Sequence, residues 1–131
     1  MKIELDSNAS GKYKITAYSA EGLLIGDVLY PSSLILTPEH IVTDWPPQRL
    51  ADLAAQHIPA IIALEPEIVL LGTGAQFRFP DPAVLSPLLE ENIGFEIMDT
   101  GAACRAYNFL MGEGRRVVAA ILTMKSEDPA G

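Results

Sequence analysis

The side chains best suited to chemistry lie within residues 98–115 of this 131-residue chain. Thr100, Cys104 and Asn108 follow one another at intervals of four, which puts them on one face of a helix, and Arg105 lies three residues before Asn108. Two interpretations stay open. The stripe either faces solvent at a sheet edge, or it lines a pocket for an anion, because Arg105 and the first amides of the helix are electropositive.

Cys104, the only cysteine of the sequence, is the candidate nucleophile, because the start of a helix lowers the pKa of a thiol. Nucleophilic catalysis also needs a positioned base. The two histidines, His40 and His57, lie far from Cys104 in the sequence. We therefore predict an inert thiol rather than a cysteine hydrolase, no catalytic residue, no cofactor, and no metal site, since the histidines lack clustered carboxylates or cysteines.

Two short segments come directly after predicted strands. Asp99 and Thr100 stand where a strand meets a helix, so we expect them to cap the free amides of the first turn, and Gly101 permits a close approach to the backbone. Gly72-Thr73-Gly74 follows an aliphatic strand but lacks the third glycine of a dinucleotide-binding turn. If the two strands are parallel neighbours, both segments share the carboxyl edge of the sheet, where α/β folds bind ligands, and form a groove there.

The far end of the same helix carries Glu113, Gly114 and Arg115. Glycines here predict a helix C-cap. At about 1.5 Å per residue the helix separates Asp99 from Arg115 by roughly 18 Å, so we predict a second patch or a structural corner at Arg115. A weaker hypothesis is a homo-oligomer in which Arg115 of one subunit completes the groove of another.

Trp45, the only tryptophan, lies between Asp44 and two prolines. Burial in the core is the favoured interpretation, because tryptophan buries a large apolar area. The alternative is an exposed ring that anchors a protein partner.

The elements that position these residues follow from hydrophobic patterning. Alternation over residues 12–19 predicts a strand with Tyr13, Ile15 and Ala17 on its buried face. Further strands are predicted at 23–25, 28–30, 34–36, 68–71, 95–98 and 117–123. Helices are predicted at 56–64, with Pro59 in the first turn, at 82–91 and at 100–111. This order indicates one layered α/β domain over residues 1–131, with a β-rich first third and a frayed tail at 125–131.

Composition limits the partners. A formal net charge of -8 repels nucleic acid and anionic membranes. The first residues lack the apolar run of a secretory signal, and the richest apolar stretch, residues 58–64, is too short to cross a bilayer. With no disulfide possible, we expect a cytoplasmic protein that does not insert into membranes.

Residues 98–110 (MDTGAACRAYNFL) and 113–117 (EGRRV) together resemble a family of uncharacterised small α/β proteins whose eukaryotic relatives include a mitochondrial assembly factor for respiratory complex I. The resemblance implies a three-layer fold with a central mixed sheet, which we expect to be largely parallel, and no established catalytic activity for bacterial members. It points to Gly72, Gly74, Asp99, Thr100, Asn108, Glu113, Gly114 and Arg115. We expect this chain to differ from the mitochondrial relatives in having no targeting segment, which argues against a complex I role and favours a bacterial cytosolic setting.

Two functions follow as hypotheses. The first is a non-enzymatic binding or assembly module that engages an unidentified protein partner through the carboxyl-edge groove and Trp45, because no set of base, nucleophile and orienting residue is evident. The second is a small-molecule or anion-binding protein, or an enzyme, built on residues 72–74 and 99–105.

Overall fold

The computed structural model describes residues 12–125, which form a mixed α/β fold of two sheets and three helices. The strands are β1 (Ile15–Ser19), β2 (Gly22–Ile25), β3 (Val28–Tyr30), β4 (Leu34–Leu36), β5 (Ile41–Val42), β6 (Ile68–Gly72), β7 (Gly94–Met98) and β8 (Val117–Ile121). The helices are α1 (Pro59–Ile62), α2 (Pro82–Glu90) and α3 (Thr100–Gly112). The predicted tail lies outside the described residues except for Lys125.

The N-terminal sheet is an antiparallel meander in the order β1-β2-β3. Its first strand contains a bulge, because Ile15 pairs with Ile25 whereas Ala17 already pairs with Leu24. The extra residue, Thr16, donates its hydroxyl to carbonyl oxygens of β2 and of the turn that follows it. Beyond a bulge the faces of a strand exchange. The prediction that Ala17 is buried is therefore wrong: Ala17 is exposed.

The second sheet has five strands in the order β5-β4-β8-β6-β7. The strands β6, β7 and β8 run parallel to one another, as predicted for the first two, whereas β4 is antiparallel to both β8 and β5. The sheet is therefore mixed, as expected, but only the half formed by β8, β6 and β7 is parallel. The chain enters β4 from the N-terminal meander and runs through it in the opposite direction. The expectation of a largely parallel sheet needs this correction.

Alternate side chains of the central strands feed two separate apolar cores. One core joins the sheet to α3 and to the N-terminal meander, and it includes Leu70, Ala119 and Tyr107. The other core lies on the opposite face against α1 and α2, and it includes Leu71 and Leu88. Such burial on both faces explains why β6 and β8 are uninterrupted aliphatic runs.

Proline determines where the middle of the chain departs from prediction. The expected helix at 56–64 is a 3₁₀ turn (Ala55–His57) followed by the short α1, with Pro59 at its first position, where a missing N–H costs nothing. Trp45 is buried, with 3% of its surface exposed, and its Nε1 donates to His57 O at 3.1 Å. Trp45 is thus a core residue, and the structure contradicts the alternative of an exposed anchor.

We predict that Leu70→Ala lowers the free energy of unfolding by about 2–5 kcal/mol, because it empties a fully buried position. The matched control is Leu89→Ala on α2, where 62% of the leucine is exposed. This substitution should change the free energy of unfolding by no more than about 0.5 kcal/mol. Chemical denaturation of both variants measures this. Equal losses would contradict the assigned faces.

Candidate functional site

The carboxyl edge, where β6, β7 and β8 end, brings residues 72–74 and the start of α3 together as the sequence predicts. The backbones of Thr100 and Gly74 are joined by a hydrogen bond from Thr100 N to Gly74 O (2.8 Å). The Thr100 hydroxyl accepts from Gly74 N at 2.9 Å and donates to Leu122 O at 2.7 Å. One buried side chain therefore connects β6, α3 and the end of β8.

Close packing fills this edge with protein groups. A Cβ added to Gly72 would lie 3.0 Å from Thr100 Oγ1, and Gly74 has a φ of +109°, which side-chain-bearing residues rarely adopt. Thr73 and Thr100 are both buried. The glycines here serve the junction between strand and helix, and the polar atoms that the groove hypothesis assigned to a ligand are engaged within the chain.

The start of α3 is capped as predicted. Asp99 accepts a hydrogen bond from Ala102 N at 2.8 Å. The ring of Tyr18 packs over Gly101, where an added Cβ would lie 2.9 Å from Tyr18 Cε1, and Arg105 donates to the Tyr18 hydroxyl. Gly101 thus permits close approach by the N-terminal sheet.

Three members of the polar stripe of α3, Thr100, Arg105 and Asn108, bond other parts of the chain, and Arg105 is exposed. Asn108 faces strand β1. Asn108 accepts from Ile15 N at 3.0 Å and donates to Ile15 O at 2.8 Å, so its amide pairs with the strand edge as another strand would. Its neighbour Tyr107 donates its hydroxyl to Tyr13 O at 2.7 Å. Asn108 and Arg105 of the stripe, together with Tyr107, therefore join α3 to the N-terminal sheet and the residues before it.

Burial makes Cys104 a poor nucleophile. It is 1% exposed in the core beneath β1, and burial raises the pKa of its thiol to about 12, against a weaker opposing effect of Arg105. His57 Nδ1 accepts from Ala54 N at 3.0 Å, and among the described residues no group of metal-binding side chains is clustered. This geometry gives the thiol no activating partner.

The second patch lies at the opposite end of α3. Arg115 Nε donates to Glu67 Oε2 at 2.7 Å, so its guanidinium pairs there and not with Asp99. The amide of Arg116 and the guanidinium of Arg115 hold the pKa of Glu67 below its usual value. Gly114 has a φ of +80° at the helix end, next to the Glu113 cap. These contacts join α3 to the start of β6 and β8.

Sequence reasoning missed an exposed pair of aromatic rings that follows residues 72–74. We call residues 75–80 the aromatic turn. In it Phe77 and Phe79 are 50% and 74% exposed, and their rings contact edge to face with centroids 4.9 Å apart. Two phenylalanines around one arginine, directly before a proline, were the available signal. Both residues lie outside the periodic segments, so no hydrophobic pattern marks them.

Thr73 fixes the conformation of this turn. Its hydroxyl donates to Gln76 O at 2.7 Å and accepts from Arg78 N at 3.3 Å. Next to the turn lies an open depression of about 370 Å³. Its lining combines apolar side chains with two charged ones: Leu50, Ala51, Leu53, Arg78, Phe79, Pro80, Asp81 and Val84.

Fold and site together define a class of small mixed α/β protein in which the carboxyl edge is internally hydrogen-bonded and an aromatic turn projects from it. The family model described as "Protein of unknown function (DUF498/DUF598)" matches residues 15–122. The chain belongs to this family, as the motif in residues 98–117 indicates.

Several relatives are named as complex I assembly factors. The chain is 31% identical over 121 residues to zebrafish (Danio rerio) "NADH dehydrogenase [ubiquinone] 1 alpha subcomplex assembly factor 3", covering 90% of this chain and 68% of the relative. Against the human protein of the same name the identity is 32% over 122 residues, with 90% and 65% covered. The chain thus spans about two thirds of the length of these relatives.

Solved structures share the fold. A crystal structure of a Bordetella parapertussis protein has a TM-score of 0.80 and 39% identity, covering 88% of this chain and 99% of that one. A structure described as an outer membrane protein from Bartonella henselae has a TM-score of 0.73 and 27% identity, covering 86% and 95%. Within residues 12–125 no helix has the length and apolarity needed to cross a membrane.

We predict that Cys104 resists thiol reagents in the folded protein, even at pH 9.0, the ordinary thiol pKa. Its raised pKa means that the neutral thiol is favoured by folding, so this contribution to stability is complete below pH 9.0 and is lost as the pH rises toward about 12. Labelling rates in native buffer and in denaturant measure the reactivity. Equally fast labelling in both would contradict the burial of the thiol.

Proposed function

We propose that this protein is a non-enzymatic, assembly-factor-like module that binds a protein partner through the aromatic turn. The observation that carries the proposal is the exposed pair Phe77 and Phe79, held by Thr73 at the carboxyl edge. Aromatic and arginine side chains dominate the energetics of protein interfaces, and Arg78 separates the two phenylalanines in the sequence.

The turn is suited to binding because it is already ordered. Two hydrogen bonds to the Thr73 hydroxyl and the contact between the rings fix its shape before any partner arrives. An ordered surface loses less conformational entropy on association than a loose loop does. The adjacent depression, which Leu50 and Val84 help to line, offers room for an apolar side chain of the partner.

Chemistry at the site also favours binding over catalysis. Cys104 is buried with a raised pKa, and the Thr100 hydroxyl is engaged on both sides by backbone groups. A nucleophile needs access and a positioned base, and neither residue has them. The alternative of a small-molecule or anion site at residues 72–74 and 99–105 therefore gains no support from the contacts of these groups.

The names of the relatives indicate the kind of partner. Complex I assembly factors are about a third identical to this chain over the aligned residues, so we propose that its partner is a subunit or assembly intermediate of a multisubunit complex. A cytoplasmic location and a single domain over the whole chain are parts of the same proposal. Arg115 pairs within the chain with Glu67, and we assign it no role in a neighbouring subunit.

We predict that Phe77→Ala combined with Phe79→Ala abolishes capture of the partner from native cell extract. A hot-spot aromatic contributes about 2 kcal/mol or more, so each change should weaken binding of the purified partner roughly thirtyfold in calorimetry. The matched control is Phe109→Ala, which removes an equally exposed ring from α3 and should leave binding intact. A partner retained by the double variant would refute the role of the turn.

A further inference from the structure

A second surface lies at the open edge of the five-stranded sheet, which is formed by β7. In a parallel pair, alternate residues of a strand direct both backbone groups toward the neighbour. Met98 O accepts from Thr73 N, so Met98, Glu96 and Gly94 face β6. The N–H and C=O groups of Phe95 and Ile97 therefore point away from the sheet, and no described residue pairs with them.

Other edges of the molecule are closed or short. Strand β1 has its Ile15 N–H and C=O occupied by the Asn108 amide, and β5 is only two residues long. Strand β7 has five residues and no such cover. Unpaired edge strands are templates for the addition of another strand.

Side chains beside this edge provide apolar contacts on both faces. Phe95 and Ile97 are partly buried against the core that includes α2, and Leu89 of α2 is exposed. On the opposite face, Met98 and Leu110 are partly buried against the core that includes α3. An added strand with apolar residues at alternate positions would place them on one face of the sheet, where they would extend the core beside Phe95 and Ile97.

The negative charge beside β7 indicates which kind of strand can pair with this edge. Glu90, Glu91 and Glu96 are exposed along β7 and at its approach, and the sequence has no lysine or arginine between Arg78 and Arg105. A second copy of this chain fits poorly, because antiparallel pairing of Phe95 with Ile97 of the copy would set the two Glu96 side chains directly opposite each other. A strand that carries basic residues meets opposite charge instead.

We propose that β7 binds an extended segment of a protein partner in which lysine or arginine alternates with apolar residues, added to the sheet as a sixth strand. This surface is separate from the aromatic turn, so either can fail without the other. Together they would let one small protein hold two segments of a client.

The test uses nuclear magnetic resonance of the labelled full chain with two short peptides of equal length, one alternating lysine with valine and the other glutamate with valine. The lysine peptide should shift the amide signals of Phe95 and Ile97 and slow their hydrogen exchange. The variant Glu96→Lys should weaken its binding roughly fivefold, the scale of a cross-strand charge pair. The matched control Glu21→Lys makes the same change on the exposed turn after β1 and should have no effect.

Several results would overturn the proposal. These are no shift at Phe95 and Ile97, equal binding of both peptides, or binding that Glu96→Lys leaves unchanged. Protection of the two amides that rises with protein concentration alone would identify a second copy as the occupant, which also refutes it. Because Phe77→Ala with Phe79→Ala should not alter peptide binding, failure here is distinguishable from failure of the aromatic turn.

Discussion

The arrangement of the carboxyl edge depends on one buried hydroxyl. Thr100 Oγ1 accepts from Gly74 N and donates to Leu122 O, which ties the end of β6 to the start of α3 and to the end of β8. A buried hydroxyl without partners would be costly, whereas here both of its functions are met by backbone groups. The position after β6 is thereby fixed, and the aromatic turn begins from it.

A second constraint acts across the molecule, where α3 must serve two sheets at once. Its apolar side packs on the five-stranded sheet, while Asn108 and Tyr107 bond the backbone of the first strand and the residues before it. The amide of Asn108 also closes an edge that would otherwise be free. Asn108 and Arg105, which look like part of a ligand-binding stripe in a helix, are in this protein a means by which the small sheet is attached.

Much of the fold could be predicted because the hydrophobic patterns of the elements and the residues that mark their ends were clear. Aliphatic runs at β6 and β8, and the capped start of α3, follow directly from residue type. The bulge at Thr16 could not be foreseen, since its register depends on the partner strand. Likewise, the roles of Asn108 and Cys104 required knowing that the N-terminal sheet covers α3, a long-range packing that no local pattern encodes.

The candidate site, like the fold, could be predicted from the sequence only in part. Sequence reasoning correctly brought residues 72–74 and 99–100 to one edge, because parallel strands end together. It could not tell whether the polar atoms there bind a ligand or one another, since that depends on differences of a few tenths of an ångström in the distances between these atoms. The exposed rings of Phe77 and Phe79 were missed because loops lack periodicity.

The central claim is that the polar groups of the carboxyl edge hold the protein together and fix the aromatic turn. Hydrogen exchange of the Gly74 amide in the native protein, Thr100→Ser and Thr100→Val tests it most directly. The account predicts a protected amide in the first two and a loss of about 1–3 kcal/mol of protection in the valine variant, which keeps the shape but not the hydroxyl. Fast exchange in the native protein, or no change with valine, would contradict it.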